Sequence, residues 1–357
     1  MSLNHAQTEA VAHNKGPCMV LAGPGSGKTL TIAKRIEYLI MKHKVRPEEI
    51  LVITFTKYAA WEMKNRTRSI CGPSSYAVTF GTFHGIYYGI LKWAYRLNQS
   101  NLLSDEEKYR ILREILPGID WDQEPEADEE KDYLQELAIE IGNVKNNCMD
   151  IEEYEPVKYT TEKFRKLYRT YEETKKKYRK IDFEDMLIQC RDLFMKRPDI
   201  LKKWQEKFQY ILVDEFQDVN QAQYDVVRML AAPQDNLFVV GDDDQSVYGF
   251  RGAKPGIMME FMKDYPKARQ ILLDVNYRSS GYIVKGALRV IENNKIRFKK
   301  KIEAFRKPDE TVHVQEVKDP VQEAEYVLER IREYREKGVS YMDCLLYTSD
   351  AADEEDS

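Results

Sequence analysis

The stretch Ala22-Gly23-Pro24-Gly25-Ser26-Gly27-Lys28-Thr29 meets the spacing G-x-x-x-x-G-K-[ST] at Gly23, Gly27, Lys28 and Thr29. Glycines let a backbone approach a ligand closely, a lysine can reach β- and γ-phosphates, and a threonine hydroxyl can ligate Mg²⁺. An apolar run, Pro17 to Leu21, precedes the turn, and a helix-like stretch, Thr29 to Met41, follows it. A strand that delivers such a turn into a helix N-terminus aims successive N–H groups and the helix dipole at one point, so Pro24, Gly25 and Ser26 fall in a phosphate cradle. Far downstream, Ile211-Leu212-Val213-Asp214-Glu215 reads as an apolar strand ending in two carboxylates. There Asp214 can hold Mg²⁺ and Glu215 can polarise a water for in-line attack on the γ-phosphorus. Gly241-Asp242-Asp243-Asp244-Gln245 closes the next strand and places Gln245 to sense the γ-phosphate or orient that water. The three groups predict a hydrolase of ATP or GTP.

A second set of residues suits a polynucleotide. Thr54-Phe55-Thr56-Lys57 and Gly81-Thr82-Phe83-His84 each end a predicted strand, on the edge where open α/β sheets bind ligands. Bases stack on aromatic rings and hydroxyls meet phosphates, so Phe55, Thr56 and His84 fit a single strand; ordinary strand-end capping fits them equally. Tyr248, Phe250 and Arg251 follow Gln245 directly, which would let a stacked base feel hydrolysis. The basic, tyrosine-bearing segment Lys163 to Lys180 could line the same path or be a solvated helix face.

These groups must be positioned by an α/β frame. Leu3, Ala6, Ala10 and Val11 recur at helical spacing behind Asn4, predicting a helix over 4–13, on which Gln7 alone would read as solvated. Apolar runs at 17–21 and 50–55 flank the helix over 29–41, giving a βαβ unit, and another helix and strand follow at 59–70 and 77–80. From about 86 to 200 helical periodicity dominates. Strand patterns return at 208–213, 236–240 and 268–273, helices are predicted at 255–262, 282–291 and 321–334, and further strands at 311–317 and 344–347. The expected fold class is therefore α/β: a P-loop NTPase with a parallel sheet, a helical insertion and the start of a second α/β domain.

Length and composition agree. The 357 residues suffice for two or three domains, and 43% hydrophobic with 32% charged residues is ordinary for a soluble globular chain. No run approaches the roughly 18 apolar residues of a membrane span, and the N-terminus lacks a secretory pattern, so a cytoplasmic protein with no membrane partner is expected. Five scattered cysteines with no C-x-x-C pair predict reduced thiols. The net charge of −5 resides in the acidic tail 350–357, so the remainder is neutral and leaves room for a local basic groove.

Leu3-Asn4-x-x-Gln7, Ala22 to Thr29, Thr54-Phe55-Thr56, Gly81 to His84, Val213 to Asp218, Gly241 to Ala253 and Asn276-Tyr277-Arg278-Ser279 stand in one order. That order resembles superfamily 1A DNA helicases of the UvrD/Rep/PcrA type, nearly to Ser349. The resemblance implies that Gln7 reads the adenine edge, Tyr277 stacks on the adenine, Arg66 approaches the nucleotide and Arg278 reaches the γ-phosphate. It implies Phe55, Thr56, His84, Tyr248, Phe250 and Arg251 along a single-stranded DNA path, and ATP with Mg²⁺ as cofactors. It also implies a RecA-like first domain from 1–84 and 208–274, a helical insertion over 85–207, an incomplete second RecA-like domain over 275–349 and an acidic tail over 350–357. The activity implied is 3′-to-5′ translocation and unwinding at single/double-strand junctions, in repair or replication. A module that binds ATP and DNA with little motor activity, and the helicase part of a helicase-nuclease, are the alternatives. The sequence departs from the family at Leu30, where an arginine is common, at Lys57-Tyr58 and at Phe250. It also ends before the family's later motifs, as a truncated chain would.

Overall fold

A computed structural model describes residues 3–119, 130–246, 254, 256–295, 297–307 and 313–343. Four strands are buried along their whole length: β1 (Cys18–Ala22), β2 (Ile50–Thr54), β4 (Tyr210–Val213) and β5 (Leu237–Gly241). With β3 (Thr79–Thr82) and β6 (Arg269–Leu273) they form a parallel sheet in the order β3-β2-β4-β5-β1-β6. Successive side chains of a strand face opposite ways, and here both faces are apolar. Cys18, Val20, Ile50, Val52, Leu212 and Val240 join one core, whereas Met19, Leu21, Leu51, Ile53, Val213 and Val239 join the other. This is why each strand reads as an unbroken apolar run rather than an alternation.

Helices α1 (His5–Ala12), α2 (Lys28–Met41) and α3 (Lys57–Cys71) close the first core through Ala10, Ile32, Ile36, Leu39 and Met63. The helices between β3 and β4 are α4 (Phe83–Tyr95), α5 (Asp105–Ile115), α6 (Glu130–Asn146), α7 (Thr161–Lys177), α8 (Phe183–Lys196) and α9 (Pro198–Lys207). They divide by packing. Tyr87 and Ile90 of α4 and Leu187 and Cys190 of α8 enter the second sheet core, with α10 (Gln221–Ala231) and α11 (Ile257–Asp264). In contrast, Leu112, Leu137, Ile141, Phe164 and Leu167 of α5, α6 and α7 make a core of their own. Within it the ammonium groups of Lys145 and Lys175 are ringed by Glu172, Asp182 and Asp185, so most of the basic face expected at 163–180 stays in solvent but Lys175 is buried.

After β6 the chain forms β7 (Val275–Ser280), α12 (Gly281–Ile291) and β8 (Glu303–Arg306), in which β7 and β8 pair in parallel. This pair was not foreshadowed by any apolar pattern. The third predicted strand of the first domain lies at Thr79–Thr82 rather than 77–80, because its register aligns Leu51 with Thr79 and Thr54 with Thr82. Residues 1–309 form one compact unit and 310–357 another. In the second, α13 (Pro320–Glu336) starts at Asp319, whose Oδ1 accepts from Gln322 N at 2.9 Å. The strand expected at 311–317 is corrected for its described part: residues 313–317 pair with no described strand, and Val314 is almost wholly exposed. The strand expected at 344–347 lies outside the described residues.

Candidate functional site

The strand order brings distant residues to one edge. The glycine turn follows β1 and the acidic pair follows β4, with only β5 between them, and all three strands run the same way. A cleft of about 720 Å³ opens there, walled by the turn from Pro24 to Leu30 and by Gln7, Arg66, Glu215, Gln245, Tyr277 and Arg278.

Two of the glycines are required by backbone geometry. Gly25 and Gly27 have φ of +66° and +84°, a region L side chains rarely adopt. A Cβ on Gly25 would lie 2.6 Å from Arg278 Cβ, and one on Gly27 would lie 2.8 Å from Gln7 Nε2. Their bareness lets β7 and α1 close on the turn. Tyr277 N donates to Gly25 O at 2.9 Å, and Gln7 Nε2 donates to Ser26 O at 2.8 Å. Gln7 is therefore buried, not solvated as its local sequence suggests.

Asn4 explains how Gln7 is held. Its Oδ1 accepts from Gln7 N at 2.8 Å while Gln7 Oε1 accepts from Asn4 N at 3.0 Å, a capping box that starts α1. Asn4 Nδ2 also donates to the Tyr277 hydroxyl at 2.9 Å. Helix start, phosphate turn and Tyr277 thus form one hydrogen-bonded unit. At the other end of α1, Arg35 of α2 is buried, donates to the carbonyls of Ala10 and His13, and lies over the Phe238 ring.

Lys28 and Glu215 face each other across the cleft, with Lys28 Nζ 2.9 and 2.7 Å from the two Glu215 carboxylate oxygens. Glu215 has a φ of +49°, a left-handed backbone that for a non-glycine residue stores about 1–3 kcal/mol. Asp214 is buried; its N donates to Ile53 O at 2.9 Å and its Oδ1 accepts from Glu215 N at 3.0 Å. Burial, and then the Glu215 charge, push the Asp214 carboxyl up to about 6. The same two causes push Asp218 up to about 7. Ser26 Oγ is buried with no hydrogen-bond partner among the described residues. A desolvated carboxylate and an unused hydroxyl beside a lysine fit a phosphate with a hard divalent cation, which Thr29 and Asp214 would hold.

Gln217 and Lys300 belong to this site and were not legible as such. Gln217 Nε2 donates to Glu215 Oε2 at 2.9 Å and its Oε1 accepts from Asp242 N at 3.0 Å. Asp242 Oδ2 accepts from Gln245 Nε2 at 2.7 Å. The buried Lys300 ammonium contacts Asp242, Asp243 at 2.5 Å and Asp244 at 2.7 Å. Arg297 adds a two-pronged pair to Asp244 at 2.8 and 2.7 Å. The acid triplet is thus the anchor of a loop that carries Gln245, with its counter-charges supplied by the segment after α12.

Of the residues expected to meet DNA, Phe55, Thr56 and His84 lie on neighbouring strand ends, since Thr54 pairs with Thr82. Thr56 Oγ1 caps α3 by accepting from Ala59 N, and its O–H stays available to donate. His84 packs edge-on against Phe183 at 5.7 Å, and burial lowers its pKa, so the ring is neutral at pH 7. The exposed rings of Tyr58 and Trp61 lie on the first two turns of α3. Tyr248, Phe250 and Arg251 fall outside the described residues. Arg66 lines the cleft, half-exposed, 4.0 Å from Glu62.

Residues 3–266 match the UvrD/REP helicase N-terminal domain, and residues 271–355 match the UvrD-like helicase C-terminal domain. The chain is 38% identical to the putative ATP-dependent DNA helicase YjcD of Bacillus subtilis, an alignment that covers 98% of this chain and 46% of that protein. It is 35% identical to the ATP-dependent DNA helicase PcrA of Staphylococcus aureus, over 98% of this chain and 48% of the relative. Identity to DNA helicase II of Escherichia coli is 34%, over 98% and 49%. The chain spans about half the length of these curated relatives.

Proposed function

Because this chain belongs to the UvrD/REP helicase family, we propose that it binds and hydrolyses ATP with Mg²⁺ in the cleft and engages single-stranded DNA at the neighbouring strand ends. The observation that carries this reading is the gathering of Gln7, Lys28, Thr29, Glu215, Gln245, Tyr277 and Arg278, drawn from the whole length of the compact unit, around one cavity. The backbone N–H groups of the glycine turn and the Lys28 ammonium take the β- and γ-phosphates. Glu215 then exchanges Lys28 for a water and draws its proton, while Gln245 orients that water and Arg278 neutralises charge developing on the γ-phosphate. Held by Thr29 and Asp214, Mg²⁺ would supply charge neutralisation between the phosphates.

Gln7 accounts for the base. One of its N–H groups and one of its lone pairs are spent on Ser26 O and Asn4 N. One donor and one acceptor are left, which match the N6 donor and N7 acceptor of adenine and not the two acceptors guanine presents on that edge. Tyr277 and Arg66 complete the nucleotide contacts.

For DNA we assign contacts to Phe55, Thr56 and His84 and, as the family resemblance implies, to Tyr248, Phe250 and Arg251, with aromatic rings stacking on bases. The strands of the main sheet come from 18–82 and 210–273, which supports a RecA-like domain over 1–84 and 208–274 interrupted by the insertion 85–207. Residues 275–349 begin a second such domain and 350–357 form an acidic tail. In the whole protein we assign 3′-to-5′ stepping and unwinding at single/double-strand junctions, in repair or replication. No described helix is long and apolar enough to cross a membrane, and we place the protein in the cytoplasm.

Steady-state ATPase and equilibrium binding of the 357-residue chain, with and without oligo-dT, test the reading. ATP turnover stimulated by oligo-dT is expected. Saturable binding of both ligands without turnover would confine this chain to a binding role, and absence of ATP binding would refute the assignment.

A further inference from the structure

Tyr277 shares the cleft with a second ring. Phe305 lies on β8 with its ring centroid 5.1 Å from that of Tyr277 and the two planes at 41°. The parallel pairing of β7 and β8, which sets Val275 against Glu303 and Asn276 against Ala304, puts the two rings side by side. Phe305 lines the cleft together with Leu3 and Leu30, yet it is 71% exposed. A phenyl ring left open at the mouth of a polar site is an unfavourable arrangement in water unless something flat covers it. Its neighbour is fixed rather than loose, since the Tyr277 hydroxyl is held by Asn4 and its N–H by Gly25 O.

We infer that Phe305 is a second base-contacting residue of the nucleotide site, extending the Tyr277 ring into a platform that the nucleobase covers. This rests on the reading of the cleft as an ATP site. A phenyl ring has no hydrogen-bonding group, and every base has a π-face, so Phe305 adds affinity for the base without choosing among bases. Choice is left to the Gln7 amide. The division of labour makes a distinctive prediction, because contact with the base strengthens any nucleoside triphosphate and leaves a bare triphosphate chain untouched.

Isothermal titration of the 357-residue chain with ATP, GTP and inorganic tripolyphosphate separates the cases. Phe305→Ala should weaken ATP and GTP by the same factor, about 2- to 12-fold, the range of an aromatic contact. Tripolyphosphate affinity should be unchanged, and Phe305→Tyr, which keeps the ring, should bind like the parent. An equal loss for tripolyphosphate, or undiminished ATP affinity in Phe305→Ala, overturns the inference. Lys28→Ala reports separately on the site itself. It should weaken all three ligands, and if it weakens none the cleft is not the nucleotide site, whatever Phe305 does.

Discussion

Replacing Lys300 by methionine keeps the length of the side chain and removes one charge from a sealed cluster. In the parent, Asp242, Asp243 and Asp244 face Lys300 and Arg297, and their side chains are no more than 11% exposed. Without the ammonium, Asp244 keeps its two bonds from Arg297, Asp243 keeps the Phe298 N–H at 2.8 Å, and Asp242 keeps the Gln245 amide. Two buried carboxylates are then left with neutral donors alone. Breaking a buried pair from one side typically costs about 3–5 kcal/mol, because the remaining charge is stranded. We expect that loss in urea unfolding at pH 7.5, followed by the fluorescence of the tryptophans. Asp243→Asn on the Lys300→Met background should restore about 1–3 kcal/mol by removing one stranded charge, a coupling between contacting residues. A loss below about 1 kcal/mol, or no recovery with Asp243→Asn, would refute the account of Lys300 as the neutralising plug of this loop.

Two further outcomes follow from positions around the turn. Gly27→Ala places a Cβ 2.8 Å from Gln7 Nε2 at a φ of +84°, so ATP affinity should fall at least about 10-fold, measured by calorimetry; a change within twofold would mean the turn tolerates the methyl. Asp218, held up at about 7 first by burial and then by Glu215, favours its protonated form when folded. Folding therefore loses stability as pH rises from about 4, the unfolded value, to about 7, so Asp218→Asn should raise the melting temperature increasingly over that window and by a constant amount above it, and a benefit that is independent of pH would contradict this.

How much was legible depended on whether a signal was local. Met19, Leu21, Cys18 and Val20 announce β1 because a strand covered on both faces is continuously apolar, and the glycine turn beside it has an unmistakable spacing. Likewise Asn4 and Gln7 carry a capping box in their own spacing, although the burial of Gln7 came only from the fold around it. In β7 and β8, Val275 to Ser280 and Glu303 to Arg306 are short and polar, so no period marked them as strands. The acid triplet at 242–244 was legible only as the strand end that carries Gln245, because its counter-charges, Arg297 and Lys300, lie more than 50 residues on. Phe305 gave no sign at all, since a lone aromatic in a polar stretch acquires meaning only from the ring packed beside it.

The order of strands in the main sheet also sets a timetable for its making. β1 aligns Cys18 with Phe238 on one side and with Arg269 on the other, so the earliest strand to leave the ribosome has no partner until residue 238 has been added. At about 5–20 residues per second that wait is roughly 10 to 45 s. Throughout it the backbone of β1 and both its apolar faces must be kept from other chains. The phosphate turn, although encoded within the first thirty residues, is therefore among the last parts of this unit to acquire its shape.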